Sequence, residues 1–214
     1  MENVNLNEVE MSGILHNVEF SHEKHGEKYY KGFITIERNS KAEDTLPIMI
    51  NSKLLPEFPN MKYVVNIKGQ LRSRNEIVDG KSKLILYIFV KDIVELEEPF
   101  DYENEVKIEG FLCKNPVLRT SLSGLTICDL LVAVNNGKHT YYIPGIAFKD
   151  NAEAITNKFK VGDKIDLIGR FQSRLYQKRY TNEQLGESVI TTHTAYELAV
   201  QWFSNEFTDI DFKI

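Results

Sequence analysis

Three short segments from the first half of the chain recur, in the same order, in the second half. The matched pairs are displaced by 97, 97 and 100 residues: 7–13 (NEVEMSG) with 104–110 (NEVKIEG), 45–50 (TLPIMI) with 142–147 (YIPGIA), and 69–74 (GQLRSR) with 169–174 (GRFQSR). A fixed order with a nearly constant displacement indicates an internal duplication. The duplication predicts that the 214-residue chain consists of two copies of one domain, each of about 100 residues.

The two copies are predicted to meet at an acidic stretch that contains Pro99. We place the first domain at residues 1–98, an acidic linker at 99–104 and the second domain at 105–204. Residues 205–214 form a short tail in which acidic and apolar residues alternate.

Each copy has the pattern of five short strands. The predicted strands are 7–16, 28–38, 45–51, 64–74 and 83–95 in the first copy, and 105–112, 125–135, 139–148, 164–176 and 191–203 in the second. One helix is expected in the second copy over 150–159, while Pro56 and Pro59 predict a short or absent helix in the first. Five strands with a helix between the third and fourth are the order of an OB-fold. The predicted fold is therefore all-β, with two tandem OB-folds built as five-stranded Greek-key barrels.

The stretch 161–180 (VGDKIDLIGRFQSRLYQKRY) alternates after Gly169, as a strand with two different faces would. One parity holds Phe171, Ser173 and Leu175, which we predict to be packed. The other parity holds cations, rings and one amide, namely Arg170, Gln172, Arg174, Tyr176, Lys178 and Tyr180. Cations interleaved with aromatic rings suit a polyanion whose bases can stack. The alternative interpretation is an ordinary solvated hairpin arm, because alternation is first of all a burial signal.

The overall charge requires any polyanion site to be local. The chain has 26 Lys and Arg against 31 Asp and Glu, a formal net charge of −5, which argues against a protein that is basic over its whole surface. No apolar run approaches the roughly 20 residues that span a bilayer. The N-terminal segment has acids and asparagines where a signal peptide needs a basic start and an apolar core, so we expect a cytoplasmic protein without membrane contact.

Neither metal binding nor catalysis has a recognisable motif. The two cysteines, Cys113 and Cys128, lack the paired spacing of a zinc site, and the five histidines are scattered. Ser121, Ser123 and His139 have no nucleophile-elbow context, and the glycines form no phosphate-binding loop. We therefore predict a protein that is not an enzyme and that needs no cofactor.

The second copy resembles the bacterial single-stranded DNA-binding protein (SSB) family. The segments that carry the resemblance are 110–116 (GFLCKNP) with Arg119, 142–148 (YIPGIAF) with 151–153 (NAE), 161–163 (VGD) with 169–176 (GRFQSRLY), and 196–200 (YELAV). The resemblance implies that the rings of Tyr142, Phe148 and Tyr176 stack on DNA bases and that Arg174 contacts the DNA strand. Tyrosine stands at two of these positions where the family commonly has tryptophan.

The first copy is similar to a more diverged member of the same family. It keeps the segment 69–74, but has Thr45 and Asn51 where the second copy has Tyr142 and Phe148. Base stacking in this copy would have to use Tyr29, Tyr30 or Phe33, and its candidate cations are Arg72 and Arg74. We expect the second copy to do more of the stacking.

The predicted function is sequence-independent binding of single-stranded DNA in replication, recombination or repair. Phosphates would be neutralised by cations of the second copy, namely Arg119, Arg170, Arg174, Lys178 and Arg179. One alternative is a replication or primosome adaptor whose OB-folds mainly bind proteins. Another is a nucleic-acid-binding subunit that serves a separate enzyme.

The resemblance also implies protein partners and an assembly. SSB proteins end in an acidic tail that docks other replication proteins, and here Lys213 interrupts that pattern. Two chains would supply the four barrels usual in the family, which makes a homodimer the expected assembly.

Overall fold

Strands make up most of the protein. The structure, a computed structural model, describes residues 4–55, 63–78, 80–97, 100–121, 124–182 and 187–205, without the side chains of 180–182 and 187–189. The first half holds β1 Asn7–Lys24, β2 Glu27–Glu37, β3 Glu43–Asn51, β4 Tyr63–Val78 and β5 Lys81–Glu95. The second half holds β6 Glu103–Leu112, β7 Val117–Thr120, β8 Thr126–Asn135, β9 Thr140–Phe148, α1 Lys149–Lys158, β10 Lys164–Asn182 and β11 Glu187–Ser204.

The first five strands close into a barrel. Their order is β2-β3-β5-β4-β1, and β1 also pairs with β2, which completes the ring. All of these pairs are antiparallel except β3 with β5, where Ile48 lies opposite Ile88. Alternate residues point inward, so Leu15, Ile34 and Ile67 are fully buried in the interior. Between β3 and β4 the structure describes a single 3-10 turn, Ser52–Leu54, and the two prolines of this region lie outside the described residues.

The second barrel repeats the first and adds two elements. Its strand order is β6-β10-β11-β9-β8, closed by pairing of β6 with β8, and the short strand β7 extends it along β8. The helix α1 lies between β9 and β10 and buries Ala152 and Ile155. The observed helix, Lys149–Lys158, is shifted by one residue toward the N-terminus from the predicted range 150–159. The prediction of two tandem OB-folds is confirmed, while β7 was not predicted.

The barrels are joined edge to edge. β1 and β6 pair antiparallel, with Asn7 opposite Ile108 and Val9 opposite Val106, so both barrels belong to one sheet of eleven strands. β6 begins at Glu103, inside the segment that we predicted as a linker, and Glu103 accepts a hydrogen bond from Ser12 of β1.

The duplicated sequence marks positions that the fold requires. Asn7 bonds both backbone groups of Leu71, at 2.8 and 2.9 Å, and Asn104 does the same for Phe171, at 2.7 and 2.9 Å. A Cβ on Gly69 would lie 2.4 Å from the carbonyl oxygen of Phe89 across a shift in strand register, which excludes a side chain there. The repeated asparagines and this repeated glycine therefore hold the barrel together.

The long hairpins differ most from the predicted strands. β4 and β5, and likewise β10 and β11, continue well past the barrel wall as paired two-stranded arms. β4 ends at Val78 and β10 at Asn182, whereas the sequence predicted ends at 74 and 176. The apolar alternation fades where an arm leaves the core, so the pattern alone ends the strand too early.

Candidate nucleic-acid interface

The arm formed by β10 and β11 carries the clearest ring and cation cluster of the second barrel. Tyr176 lies opposite His193, and the two rings stack with centroids 5.5 Å apart and planes 29° apart. The charged ends of Lys178 and Arg174 lie 5.7 and 5.9 Å from the Tyr176 ring centroid. An aromatic ring supported by cations is a suitable platform for a nucleic-acid base.

The predicted division of β10 into one packed and one polar face is only partly correct. Phe171 is fully buried as expected, but Leu175 on the same parity is 72% exposed. On the opposite parity Gln172 is only 5% exposed and donates a hydrogen bond to Glu197 at 3.0 Å. The prediction fails because β10 leaves the barrel near Ser173, so that both faces of the arm beyond it are open to solvent.

The predicted phosphate-binding cations of the second barrel have different environments. Arg174 donates to the carboxylate of Glu197 at 3.2 Å, and Arg119 donates to Asp129 at 2.5 and 3.0 Å. The hydrogen bonds to Asp129 raise the pKa of Arg119. Lys178 and Arg179 are exposed on the arm, and the side chain of Tyr180 lies outside those that the structure describes.

Arg170 is half-buried, unlike the other predicted cations of the second barrel, which are exposed. Burial lowers the pKa of its guanidinium. Its Nη2 donates to Gln172 at 3.2 Å, and its buried Nε has no hydrogen-bond acceptor among the described residues.

The two rings predicted on β9 point outward but have different surroundings. Tyr142 is 45% exposed, and its backbone N–H donates to the hydroxyl of Ser73 in the first barrel at 2.8 Å. Phe148 is half-buried and packs against a small apolar cluster that includes Ile146 and Ala199. Tyr142 is therefore the more accessible of the two rings, and it lies where the barrels meet.

The first barrel has an aromatic groove of about 310 Å³ that is lined by residues of all five of its strands, β1 to β5. Its lining residues are His22, Lys24, Tyr29, Met49, Arg72, Arg74, Tyr87 and Phe89. The Arg72 guanidinium lies 3.7 Å from the centroid of the Phe89 ring, and that of Arg74 lies 5.2 Å from the Tyr87 ring. The groove thus combines the outward rings of Tyr29, Tyr87 and Phe89 with the guanidinium groups of Arg72 and Arg74.

Of the three rings predicted for the first barrel, only Tyr29 lines this groove. It stacks on His22 with centroids 5.1 Å apart and planes 13° apart. Tyr30 instead packs against the core and meets the edge of Phe20, while Phe33 stacks on His16.

Tyr87 and Phe89 were missed by the sequence analysis. They alternate with the buried residues Leu86, Ile88 and Val90, so the segment is apolar on both parities. A strand that is apolar on both faces is normally interpreted as wholly buried. The available signal was the pairing with β4, because the outward Arg72 requires its partner Tyr87 to point outward as well.

Other kinds of site are not found in the described part of the chain. No group of three or more His, Cys, Asp or Glu side chains among those residues is placed to hold a metal ion. None of the described helices has the length and apolar character needed to cross a membrane.

Comparison with known proteins agrees with this architecture. Over nearly its whole length the fold matches the wild-type single-stranded DNA binding protein from Thermus aquaticus, with a TM-score of 0.71 at 17% identity, covering 97% of this chain and 96% of that one. The fold thus defines a protein with paired OB-fold barrels. Residues 103–201 match the profile of the single-strand binding protein family. The second barrel is therefore similar to the single-strand binding protein family over almost its whole length.

Curated relatives show the same similarity. Single-stranded DNA-binding protein 1 of Staphylococcus aureus (strain COL) is 28% identical in an alignment of 120 positions that covers 50% of this chain and 72% of that protein. The single-stranded DNA-binding protein of Bacillus cereus is 32% identical in an alignment of 98 positions that covers 40% of this chain and 58% of that protein.

Proposed function

We propose that this protein binds single-stranded DNA without sequence preference and acts in replication, recombination or repair. The observation that carries the proposal is the cluster on the β10–β11 arm, where Tyr176 has Lys178 and Arg174 within 6 Å of its ring. Base stacking contributes about 1 to 3 kcal/mol per base and tolerates any sequence, because every base has an aromatic face. The similarity of the second barrel to the single-strand binding protein family supports the same function.

The proposed binding surface keeps the residues predicted from the sequence and adds Tyr87 and Phe89. Bases would stack on the rings, namely Tyr142, Phe148 and Tyr176 with Tyr29, Tyr30, Phe33 and Tyr180. Phosphates would meet the cations, namely Arg119, Arg170, Arg174, Lys178 and Arg179 with Arg72 and Arg74. Lys178 and Arg179 are the best placed for phosphate contacts because both are exposed on the arm.

A titration of the full chain tests this function. An OB-fold occupies about 4 to 16 nucleotides, so a fluorescein-labelled thymidine strand of about 35 nucleotides can span both barrels. We expect saturable binding by fluorescence anisotropy, much weaker binding of the corresponding duplex, and an affinity that falls steeply with salt. If the strand stays unbound at low salt, the proposal is wrong.

One observation favours the adaptor as a second candidate. Arg119 is paired with Asp129, and Arg174 is paired with Glu197 beside the arm of the second barrel. Part of the positive charge of the predicted DNA surface is therefore already neutralised. An adaptor would bind the thymidine strand weakly and would retain a replication protein in a pull-down at the same salt concentration.

The remaining features of the proposal concern assembly and location. Two chains would form a homodimer with four barrels, and light scattering of the intact chain would measure its mass. Residues 206–214 lie outside the described residues, and we propose that they dock replication proteins. A cytoplasmic location, the absence of catalytic activity and the domain limits 1–98 and 105–204 stay predictions.

A further inference from the structure

The duplication creates two similar junctions between the barrels, which we call crossings. At each crossing the arm of one barrel contacts a strand of the other, β9 at the first crossing and β3 at the second. At the first crossing, Ser73 at the base of the β4–β5 arm accepts the N–H of Tyr142 in β9. At the second crossing, Ser173 at the base of the β10–β11 arm donates its N–H and its hydroxyl to Asp44 in β3, at 2.7 and 3.2 Å. Ser73 and Ser173 occupy the same position of the repeat, so the two junctions can be compared residue by residue.

The second crossing has two carboxylates that already hold its arginines. Asp44 is fully buried and accepts two hydrogen bonds from Arg38, whose Nη2 also donates to the carbonyl oxygen of Ser173 at 3.2 Å. The adjoining strand β11 adds Glu197, which holds Gln172 and Arg174. Arg38 and Arg174 are therefore already paired with carboxylates at this crossing, which leaves them less available to phosphate.

The first crossing has rings and cations instead. Arg72 lies 3.7 Å from the Phe89 ring of its own barrel and 5.5 Å from the Tyr141 ring of the second barrel, so it bridges the two. Tyr87 lies opposite Arg72, at the position that Glu197 takes in the second barrel opposite Gln172. None of the described residues that line the adjoining groove carries a carboxylate.

Two glutamates lie near this groove without lining it. Glu76 pairs with Arg74, and both side chains of that pair are about 40% exposed, so it contributes little and a phosphate can replace it. Glu27 accepts the hydroxyl of Tyr29 at 3.0 Å and also pairs with Lys53. Burial raises the pKa of Tyr87, which keeps its phenol neutral beside Arg72 and Arg74.

We propose that single-stranded DNA passes between the barrels at the first crossing and not at the second. Bases stack in the first-barrel groove on Tyr29, Tyr87 and Phe89, Arg72 meets the strand at the junction, and the path continues on the exposed ring of Tyr142. This inference rests on the proposed function, because it selects a route for the strand that the protein binds.

Tryptophan reporters at equivalent positions of the repeat test the route. Tyr142→Trp places a reporter at the first crossing, and Thr45→Trp places one at the matching position of the second. We expect saturating thymidine strand to quench the added fluorescence of Y142W strongly and to leave that of T45W unchanged, each measured relative to the parent chain. Equal quenching of both reporters, or quenching of T45W alone, would overturn the proposal.

A loss-of-binding experiment on the full chain gives an independent measure. The double variant Y87A/F89A should weaken binding of a 35-nucleotide strand by roughly 25-fold or more, since each of the two lost stacking contacts is worth about 5-fold at least. Thermal unfolding of each variant checks that the barrel remains intact, and the reporters decide the question if the double variant does not fold. An intact double variant with unchanged affinity would refute the route through the groove.

Different results would contradict the proposed route and the proposed function. If the parent chain binds the strand and Y176A weakens it, but Y87A/F89A and Y142W show no effect, the route is wrong and the proposed function stands. If the parent chain itself does not bind, the proposed function fails.

Discussion

The two barrels share a scaffold but differ on the outward face of their last two strands. The first barrel has Tyr87 and Phe89 on β5, and the second has Glu197 and Ala199 at the equivalent positions of β11. Rings and arginines leave an open groove in the first barrel. In the second, Ala199 is covered by an apolar cluster and Glu197 neutralises Arg174. The arms differ in the opposite sense, because the arm of the second barrel carries Tyr176, stacked on His193 with cations beside it.

This difference separates the residues that make the barrel from those that make its surface. The glycine and asparagine positions of the repeat are kept in both copies because strands approach closely there and backbone groups need partners. Outward positions carry no such requirement, so the copies have diverged. The stacking surface of this protein is therefore expected to be spread unequally over the two barrels.

The largest expected effect is a loss of folding stability at the second crossing, where Arg38 holds Asp44. Arg38→Ala would leave Asp44 buried without its cation, and breaking a buried pair in this way costs about 3 to 5 kcal/mol of stability. Thermal or urea unfolding should show the loss. Arg119→Ala removes a more exposed pair and should cost less than about 1 kcal/mol, so equal losses in the two variants would contradict the role assigned to the second crossing.

The next effect concerns the arm of the second barrel. Tyr176→Ala should lower the affinity for a thymidine strand by about 1 to 3 kcal/mol, because it removes a ring on which a base can stack. Anisotropy titration measures the change. Leu175→Ala is the matched control, since Leu175 is a neighbouring exposed residue without an aromatic ring. A loss in L175A as large as that in Y176A would point to a general defect of the arm.

A smaller effect is expected at the acidic position of the second barrel. Glu197→Gln keeps a hydrogen-bonding side chain for Gln172 and Arg174 but removes a negative charge beside the arm. We expect a gain in affinity of up to about 1 kcal/mol, the scale of a partly exposed ion pair. Glu105→Gln on β6 removes the same charge elsewhere, and a similar gain there would attribute the effect to net charge alone.

The smallest expected effect is on the salt dependence. Lys178→Ala should flatten the plot of log affinity against log salt concentration by about 0.7, the value for one neutralised phosphate of a single strand. Arg119→Ala should flatten it less, because Asp129 already holds that guanidinium. Equal changes in both slopes would show that the ion pair opens to receive a phosphate.

The sequence predicted the architecture well for physical reasons that particular residues make clear. Only glycine fits where strands approach closely, as at Gly69 and Gly169, and only apolar residues fit the inward positions, such as Ile48 and Ile88. Because these positions restrict the residue type, the repeat and the strands can be recognised in the sequence. The surface is less restricted. Tyr87 and Phe89 look like core residues in a strand that is apolar on both parities, and Leu175 looks packed although its arm has left the barrel. Their exposure depends on tertiary pairing, which periodicity does not encode.

Photo-crosslinking tests the central claim most directly. A thymidine strand carrying 5-iodouracil crosslinks to aromatic side chains that stack on it, and mass spectrometry of the digested complex identifies them. The account predicts crosslinks in both barrels, at Tyr87 or Phe89 in the first and at Tyr142 and Tyr176 in the second. Crosslinks confined to the second barrel would contradict it.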